Sequence, residues 1–223
     1  MAGDRRPARL ATFAAVDAAD LTQAPDLGSS SVDGRVARRQ RNQDAVLDVV
    51  LEMFAEDMIF PTIEQAAKRS GLSLRSLYRY FADPGELVEA AIRRNQERNA
   101  DRAHLVQIGR GPLADRIADL VAVRVRVYAE VGAVYRATVH NAAHHQRVAE
   151  ALHESRLKVR DQFERQFASE LDVLDPQRRV AITDAGDALT QLDTIDLLHR
   201  YRDLPLDEVA AVLRAGLTAL LSA

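Results

Sequence analysis

The sequence contains no cysteine, which excludes disulfide bridges and thiolate metal sites and favours a reducing, cytoplasmic compartment. It also lacks any run of about eighteen uncharged apolar residues, so no membrane-spanning helix is expected. The N-terminal arginines are followed by an apolar stretch that Asp17 and Asp20 interrupt, which argues against a signal peptide. With 47% hydrophobic and 28% charged residues, the 223-residue chain has the composition of a soluble globular protein.

The motifs of common enzyme classes are missing as well. The sequence has no G-x-S-x-G, no H-E-x-x-H, no P-loop and no cysteine nucleophile, so we do not expect an enzyme. The run from Gly109 to Ala114 matches a loose dinucleotide-binding fingerprint, but no strand precedes it and no βαβ unit surrounds it, so no cofactor is expected. His140 and His144 have the spacing that places two imidazoles on one helix face, with His145 beside them. Since no matched carboxylate pair or cysteine accompanies them, no metal is expected.

Residues 62–81 predict two short helices joined by a tight turn. Thr62 followed three positions later by Gln65 indicates a capping box, which marks where the first helix begins. Gly71 permits the left-handed conformation that turns the chain, and Ser73 can cap the second helix. The inward positions of the two helices are apolar or small: Ile63, Ala66, Ala67, Leu77 and Phe81. This pattern is typical of a helix-turn-helix, whose second helix can read the major groove of DNA.

Positive charge is concentrated in two parts of a chain whose formal net charge is −3. Residues 66–82 contain no acid and carry Lys68, Arg69, Arg75 and Arg79; residues 35–43 contain no acid and carry Arg35, Arg38, Arg39 and Arg41. Such patches suit a phosphate backbone, because each neutralised phosphate releases counterions. The alternative is a solvated basic helix face. We favour DNA, because the capped turn, the apolar faces and the basic patch coincide.

The same residues resemble the TetR-like (tetracycline-repressor) family of transcriptional regulators. The resemblance rests on Ala67, the runs 70–73 and 77–81, and the following Asp83, Glu86 and Leu87, and it extends back to 45–56. Residues 188–221 are similar to the last two helices of the family. One departure is Asp83-Pro84, which stands where the family usually has a lysine that reaches a phosphate.

The DNA contacts can be assigned residue by residue. Arg75, in the first turn of the second helix, suits a bidentate pairing with guanine, and Leu74 can pack on a thymine methyl group. Ser76 can contact either a base or a phosphate. In the family, the tyrosines that match Tyr78 and Tyr80 touch phosphates. The full predicted set is Arg38, Arg41, Thr62, Ser73, Leu74, Arg75, Ser76, Tyr78, Arg79 and Tyr80.

The hydrophobic pattern predicts an all-α chain in three parts. A mobile or disordered arm over 1–34 precedes a three-helix DNA-binding domain over 35–82 and a helical effector-binding and dimerisation domain over 83–223. The first helix is predicted over 43–56. A fourth helix begins at Asp83-Pro84, with Glu86 closing a second capping box, and links the two domains.

Two further helix assignments concern the C-terminal half of the chain. Residues 121–127 alternate like a half-buried strand, but no second strand candidate exists to pair with them, so we predict a helix with Arg124 pointing inward. A helix capped by Asp175 is predicted to last to about residue 201, and the final helix to open at Leu204-Pro205 and end near 221.

The resemblance implies a homodimer on a near-palindromic operator. Apolar faces of the last two helices would pair across a two-fold axis into a four-helix interface. The alternative is that these faces only close the core of one chain. The predicted interface residues are Ile182, Ala185, Leu189, Leu192, Val209, Val212, Leu213 and Leu217.

The resemblance also implies a small-molecule effector in the C-terminal half. The aromatic residues there are candidate pocket lining, or else plain core. Asp184, Asp187 and Gln191 share one helix face and could bind a cation, pair with Arg124, or simply be solvated. The predicted ligand set is Arg124, Tyr128, Tyr135, Phe163, Phe167, Asp184, Asp187 and Gln191.

The sequence therefore predicts a DNA-binding transcriptional regulator, a homodimeric repressor that a small-molecule effector releases from its operator. The alternatives are a helical module that binds another protein through the helix-turn-helix surface and, last, an enzyme.

Overall fold

The computed structural model describes residues 29–57 and 60–222, and over these residues every regular element is helical. The predicted all-α class is confirmed. The elements are α1 Ser29–Asp57, α2 Ile63–Ser70, α3 Leu74–Tyr80, α4 Pro84–Arg98, α5 Leu113–Ala142, α6 Gln146–Gln166, α7 Ala168–Leu171, α8 Pro176–Thr190, α9 Leu192–Asp196, a π-helical turn Leu197–Tyr201, and α10 Leu206–Leu221.

The first helix begins at Ser29, so the predicted start near residue 43 was wrong. The arginine-rich segment that we read as preceding the helix is part of it, because Arg, Gln and Ala are good helix formers even where no apolar periodicity is visible. Residues 1–28 lie outside the described residues, and the division at 34 and 82 stays a prediction. Of the described residues, 29–40 belong to one unit and those from Arg41 onward to a second, and the packing below is that of the second unit.

One hydrophobic cluster contains residues of α1, α2, α3 and α4. Val46, Val50 and Phe54 of α1 pack with one apolar side of α2 and α3, and Leu77 of α3 is fully buried among them. Helix α4 contributes Leu87, Val88, Ala91 and Ile92 to the same cluster, which Ala137 of α5 and Val148 of α6 complete. Helix α4 therefore holds the helix-turn-helix against the C-terminal helices, as the predicted linking role requires.

Residues 121–127 lie within α5, so the helix predicted for this strand-like stretch is confirmed. Val121, Arg124 and Tyr128 recur at helical spacing and are all buried, and the remaining valines pack against the same core. Tertiary packing decides here, since β-branched residues lose only a little helix propensity and gain burial on this face.

The helix predicted from Asp175 to residue 201 is interrupted, and that prediction was wrong in its length. Asp175 does cap α8, but α8 ends at Thr190, where Gln191 takes an extended conformation with ψ 151°. The Thr190 hydroxyl donates to the Gly186 carbonyl at 2.9 Å, and the Thr194 hydroxyl donates to the Ala188 carbonyl at 2.6 Å. Such side-chain bonds to backbone carbonyls compete with the helical ladder.

The loop before α5 is fixed by a buried arginine. Arg116 donates to the carbonyls of Gly111 and Gln166 at 3.1 and 2.8 Å and forms a two-pronged ion pair with Glu170. The Gln166 amide oxygen accepts from the Gly109 backbone N–H at 3.0 Å. A buried guanidinium is tolerated in this place because a carboxylate and carbonyl oxygens surround it.

Helices α6 and α8 approach closely at Gly186. A Cβ atom at this position would lie 2.0–2.7 Å from ring atoms of Phe163, which is fully buried. The ring has no room to move away, because it also packs on Phe167 at a centroid distance of 5.0 Å. Glycine is therefore required here by contact and not by backbone conformation.

We expect Gly186→Ala to lower the free energy of unfolding by about 1–3 kcal/mol, because the added methyl group overpacks the core. The measurement is urea unfolding followed by circular dichroism. Gly216→Ala in α10 is the matched control, since its Cβ would meet only the flexible end of Leu189 at 2.8 Å. Equal stability of the two variants would contradict the steric argument; a partial recovery in Gly186→Ala/Phe163→Leu would support it.

Candidate nucleic-acid interface and effector cavity

The turn between α2 and α3 is built by three local devices that the sequence predicted. The Thr62 hydroxyl accepts from the Gln65 backbone N–H at 3.2 Å, and the Gln65 side chain accepts from the Thr62 backbone N–H at 2.8 Å. Gly71 is left-handed at φ 71°, and the Ser73 hydroxyl accepts from the Ser76 backbone N–H at 3.2 Å. The backbone N–H of Thr62, a residue of the predicted DNA-binding set, is therefore already bonded within this capping box.

Helix α3 has one buried and one exposed side. Leu77 is inaccessible, and Phe81 at the helix end is buried with it. On the opposite side Leu74 is 40% and Tyr78 51% exposed, and Arg75 and Arg79 are exposed beside them, together with Ser73. Ser76 and Tyr80 are half-buried. The structure thus places the predicted reading residues of α3 on one accessible surface.

A carboxylate that the sequence analysis missed lies at this surface. The Tyr78 hydroxyl donates to Glu64 of α2 at 2.8 Å. The pKa of Glu64 is lowered, first by a hydrogen bond from its own backbone N–H and then by Tyr78, whereas the bond to Glu64 raises the pKa of Tyr78. The two residues are fourteen positions apart on different helices, so no local pattern pairs them.

The basic side chains near the turn differ in their partners. Arg69 forms an ion pair with Glu56 at 2.8 Å, so part of its charge is neutralised within the protein. Arg79 donates to the Tyr80 hydroxyl at 3.3 Å and lies 5.3 Å from the centre of its ring. Arg38 and Arg41 are exposed side chains of α1.

Helix α4 begins directly after α3 and is held by contacts to the C-terminal helices. Asp83 caps α4, but Glu86 accepts from the Ala82 backbone N–H at 2.6 Å instead of closing a box on Asp83, which corrects that prediction. Arg147 of α6 pairs with Asp83 at 3.2 Å.

A second contact in this region is aromatic. Phe60, just before α2, stacks on His145 with ring centroids 3.6 Å apart. Burial and the neighbouring His144 lower the pKa of His145, so a neutral ring is favoured against Phe60. Neither this stack nor the Arg147–Asp83 pair could be read from the sequence, because each joins residues far apart along the chain.

A cavity of about 780 Å³ lies between α4, α5 and α6. Helix α4 contributes Ile92, Arg93 and Gln96 to its wall; α5 and α6 supply apolar side chains, including three valines of α5 and Leu152 of α6, together with polar and charged ones. Two of the predicted ligand residues, Arg124 and Tyr135, line this cavity. The volume falls within the range of small-molecule sites.

The other six predicted ligand residues lie outside the cavity wall. The Tyr128 hydroxyl donates to Asp196 at 2.6 Å, and burial with this bond raises the Tyr128 pKa to about 12. Phe163 and Phe167 are fully buried core residues.

The polar face of α8 pairs with Arg160 of α6 and not with Arg124, the partner considered from the sequence. Asp184 and Asp187 pair with Arg160 at 2.8 and 3.5 Å, and Gln191 donates to Asp187 at 2.6 Å. Arg124 instead donates to Gln162 and to the Val159 carbonyl, so of the three alternatives the pairing of these carboxylates with Arg124 is not the one observed. Arg160 of α6 could not be identified as the partner from α8 alone.

The predicted interface residues divide into two groups. Leu192, Val209, Leu213 and Leu217 are buried in the core of the single chain. Ile182 and Leu189 pack partly against that core, whereas Ala185 and Val212 are exposed. Among the described residues, no group of His, Cys, Asp or Glu is placed to hold a metal ion. No helix within the same residues is long and apolar enough to cross a membrane.

No protein-family model and no curated protein matches the sequence. Solved structures do match. A TetR-family transcriptional regulator from Streptomyces coelicolor has a TM-score of 0.64 and 26% identity, over 82% of this chain and 81% of that one. A transcriptional regulator from Rhodococcus sp. Rha1 has a TM-score of 0.62 and 17% identity, over 81% and 96% of the two chains, which shows a shared fold.

The shared fold agrees with the resemblance carried by the helix-turn-helix residues. The order of helices, the capped turn and the exposed basic α3 are all present in the described part of the chain. On these grounds the chain has the fold of TetR-family transcriptional regulators and carries a helix-turn-helix like theirs.

Proposed function

We propose that the protein is a homodimeric repressor that binds a near-palindromic operator through α3 and is released by a small molecule in the cavity. The observation that carries this proposal is the exposed face of α3, where Arg75, Tyr78 and Arg79 stand on a helix fixed by caps and by buried Leu77. A rigid, basic and accessible helix is what major-groove reading needs.

Base reading is assigned to the first turn of α3. Arg75 is exposed there and can present its guanidinium to the O6 and N7 of guanine, with Leu74 beside it for a thymine methyl group. Tyr80 and Arg79, further along, suit phosphates, and Tyr78 would exchange Glu64 for a phosphate oxygen on binding. Arg38 and Arg41 add phosphate contacts, which position the protein but carry no sequence information.

Effector release is assigned to α4. Its first half buries Leu87 and Val88 in the cluster that supports α3, and its second half lines the cavity with Ile92 and Gln96. A ligand that fits the cavity better when α4 has moved out of its DNA-binding position lowers the affinity for DNA. By linkage, bound DNA lowers the affinity for the ligand by the same factor. The cavity and the reading helix are thereby joined through one element.

Dimerisation is assigned to the exposed sides of α8 and α10. Small or apolar side chains stand open to solvent on both helices, namely Ala181, Ala185 and Ala188 on α8 and Ala211, Val212 and Ala215 on α10. Paired helices with such faces can approach closely, and a two-fold axis would double the bases read.

The experiment that tests the proposal is selection of bound duplexes from a random-sequence library at physiological salt, with random competitor DNA. Enrichment of a near-palindrome with half-sites one or more helical turns apart would support a dimeric, sequence-specific regulator. Binding without enrichment would show that the surface binds DNA only through its positive charge and without sequence preference. An absence of binding even at low salt would favour the alternative in which the helix-turn-helix binds another protein.

We expect Arg75→Ala to weaken binding to the selected site by about 1–3 kcal/mol and to relax the base preference at one position of each half-site. Arg38→Ala is the comparison: it should weaken binding to selected and random duplexes alike and reduce the salt slope by about one. Fluorescence anisotropy with both duplexes measures the difference. Equal losses on the two duplexes for Arg75→Ala would rule out its base-reading role.

We expect Glu64→Gln to strengthen binding to any duplex by about two- to fivefold, because it removes an exposed negative charge and keeps an acceptor for Tyr78. The lowered pKa of Glu64 means that it is ionised throughout the neutral range, so the gain should be constant between about pH 6 and 8. Glu154→Gln, at an exposed position of α6, is the charge-matched control. An unchanged or weaker affinity of Glu64→Gln, relative to this control, would place Glu64 away from the phosphates.

We expect Val212→Glu to convert the dimer to a monomer, because Val212 is 42% exposed on the α10 face and a buried unpaired carboxylate is costly. Sedimentation velocity reports the change. Val173→Glu, at an 81% exposed position outside α8 and α10, is the matched control and should remain dimeric. Dimers of equal stability in both variants would show that the interface lies on another surface of the protein.

A further inference from the structure

Arg124 is a buried cation that lacks a complete set of partners. The side chain is 3% exposed, and it donates to the Gln162 amide oxygen at 2.6 Å and to the Val159 carbonyl at 3.0 Å. Its Nε is the buried side-chain nitrogen for which the described residues provide no hydrogen-bond partner. Burial lowers the Arg124 pKa to about 10, against a smaller opposing effect of Asp187, so the group is still charged at neutral pH.

The comparison with Arg116 shows that this arrangement is unusual for the protein. Arg116 lies on the same helix, is 4% exposed, and pairs with Glu170 through two prongs. The acceptors of Arg124 are both neutral, and Asp187, the acid that affects it most, is committed to Arg160 and Gln191. A buried charge without an anion is costly, and an anion supplied from outside would remove that cost.

Arg124 lines the cavity, and the rest of the wall is suited to an anion with an apolar body. The apolar part of the wall comprises Val127, Val131, Val134, Leu152 and Leu192. The charged residues of the wall are predominantly basic, with Arg93, Lys158 and Arg165 in addition to Arg124 against Glu97 and Asp161. Asp161 pairs with Arg165 at 3.1 Å, and Arg93 pairs with Glu89 of α4, so the excess of positive charge rests on Arg124 and Lys158 against Glu97.

We propose that the cavity binds an amphiphilic carboxylate, whose head group accepts from Nε of Arg124 and whose apolar body lies along the valines of α5. The proposal deepens the effector role given to this cavity and rests on it. A singly charged head matches the one uncompensated guanidinium, whereas a dianionic phosphate would leave a second negative charge in an apolar wall.

Two other interpretations are distinguishable from this one. A cationic ligand would need free carboxylates, but those of α8 are bonded to Arg160. A purely structural Arg124 would serve only to tie α5 to α6 through Val159 and Gln162. Each predicts a different order of affinities for three probes of equal chain length, namely decanoate, decan-1-ol and decylammonium.

The test is calorimetric titration of the full-length protein, without DNA, with each probe. We expect decanoate to bind about tenfold more tightly than decan-1-ol, since a hydrogen bond to a buried charge discriminates by at least this factor. Arg124→Met should abolish the preference by weakening decanoate alone, and Arg124→Lys should retain part of it. Arg126→Met, two positions further along α5 but exposed, is the control and should bind like the unmodified protein.

Equal affinity for decanoate and decan-1-ol, tighter binding of decylammonium, no binding of any probe, or a preference that survives in Arg124→Met would each overturn the proposal. Circular dichroism of every variant ensures that a misfolded protein is not mistaken for one with a lost site, and Arg124→Lys provides a second test if Arg124→Met does not fold. Because the titration contains no DNA, its failure leaves the regulator proposal to the duplex selection, which is measured separately.

Discussion

The burial of one side of α4 is the constraint on which the rest of the structure depends. Leu87, Val88, Ala91 and Ile92 are almost inaccessible, and they pack with residues of α1–α3 as well as with Ala137 and Val148. Protein cores resist continuous deformation, so a helix shared in this way moves as a unit or stays in place. The position of α3 and the shape of the cavity therefore both depend on α4, and Ile92 takes part in both.

The distribution of ion pairs explains how a chain with net charge −3 can present a basic surface. Arg94 pairs with Asp44 and Asp48 between α4 and α1, Arg160 with Asp184 between α6 and α8, and Arg116 with Glu170. These cations stabilise contacts between helices and contribute little to the outer field. The positive charge of α3 is separated from most acids of the chain, with Glu64 as the exception at Tyr78.

The predictions that succeeded rest on interactions within a few residues. The caps at Thr62, Ser73 and Asp83 and the left-handed Gly71 follow from side-chain chemistry at fixed short spacing, so the helix-turn-helix could be located to the residue. The break after Thr190 depends on backbone competition, the partners of Arg124 on distant groups, and the start of α1 on helix propensity without apolar periodicity, and each was missed. The contents of the cavity wall belong to this second class, which is why only Arg124 and Tyr135 of the expected set line it.

The geometry also separates what would give a ligand its affinity from what would give it an effect. Arg124 is anchored to α6 through Val159 and Gln162, so a head group bound there touches helices that do not carry the reading head. Only contacts that differ between two positions of α4 can shift the equilibrium, however tightly the head group binds. The wall residues of α4 are the ones placed to make such contacts, namely Ile92, Arg93, Asn95, Gln96 and Glu97. The part of the ligand that reaches α4, and not the head group at Arg124, would therefore determine whether binding is transmitted to α3.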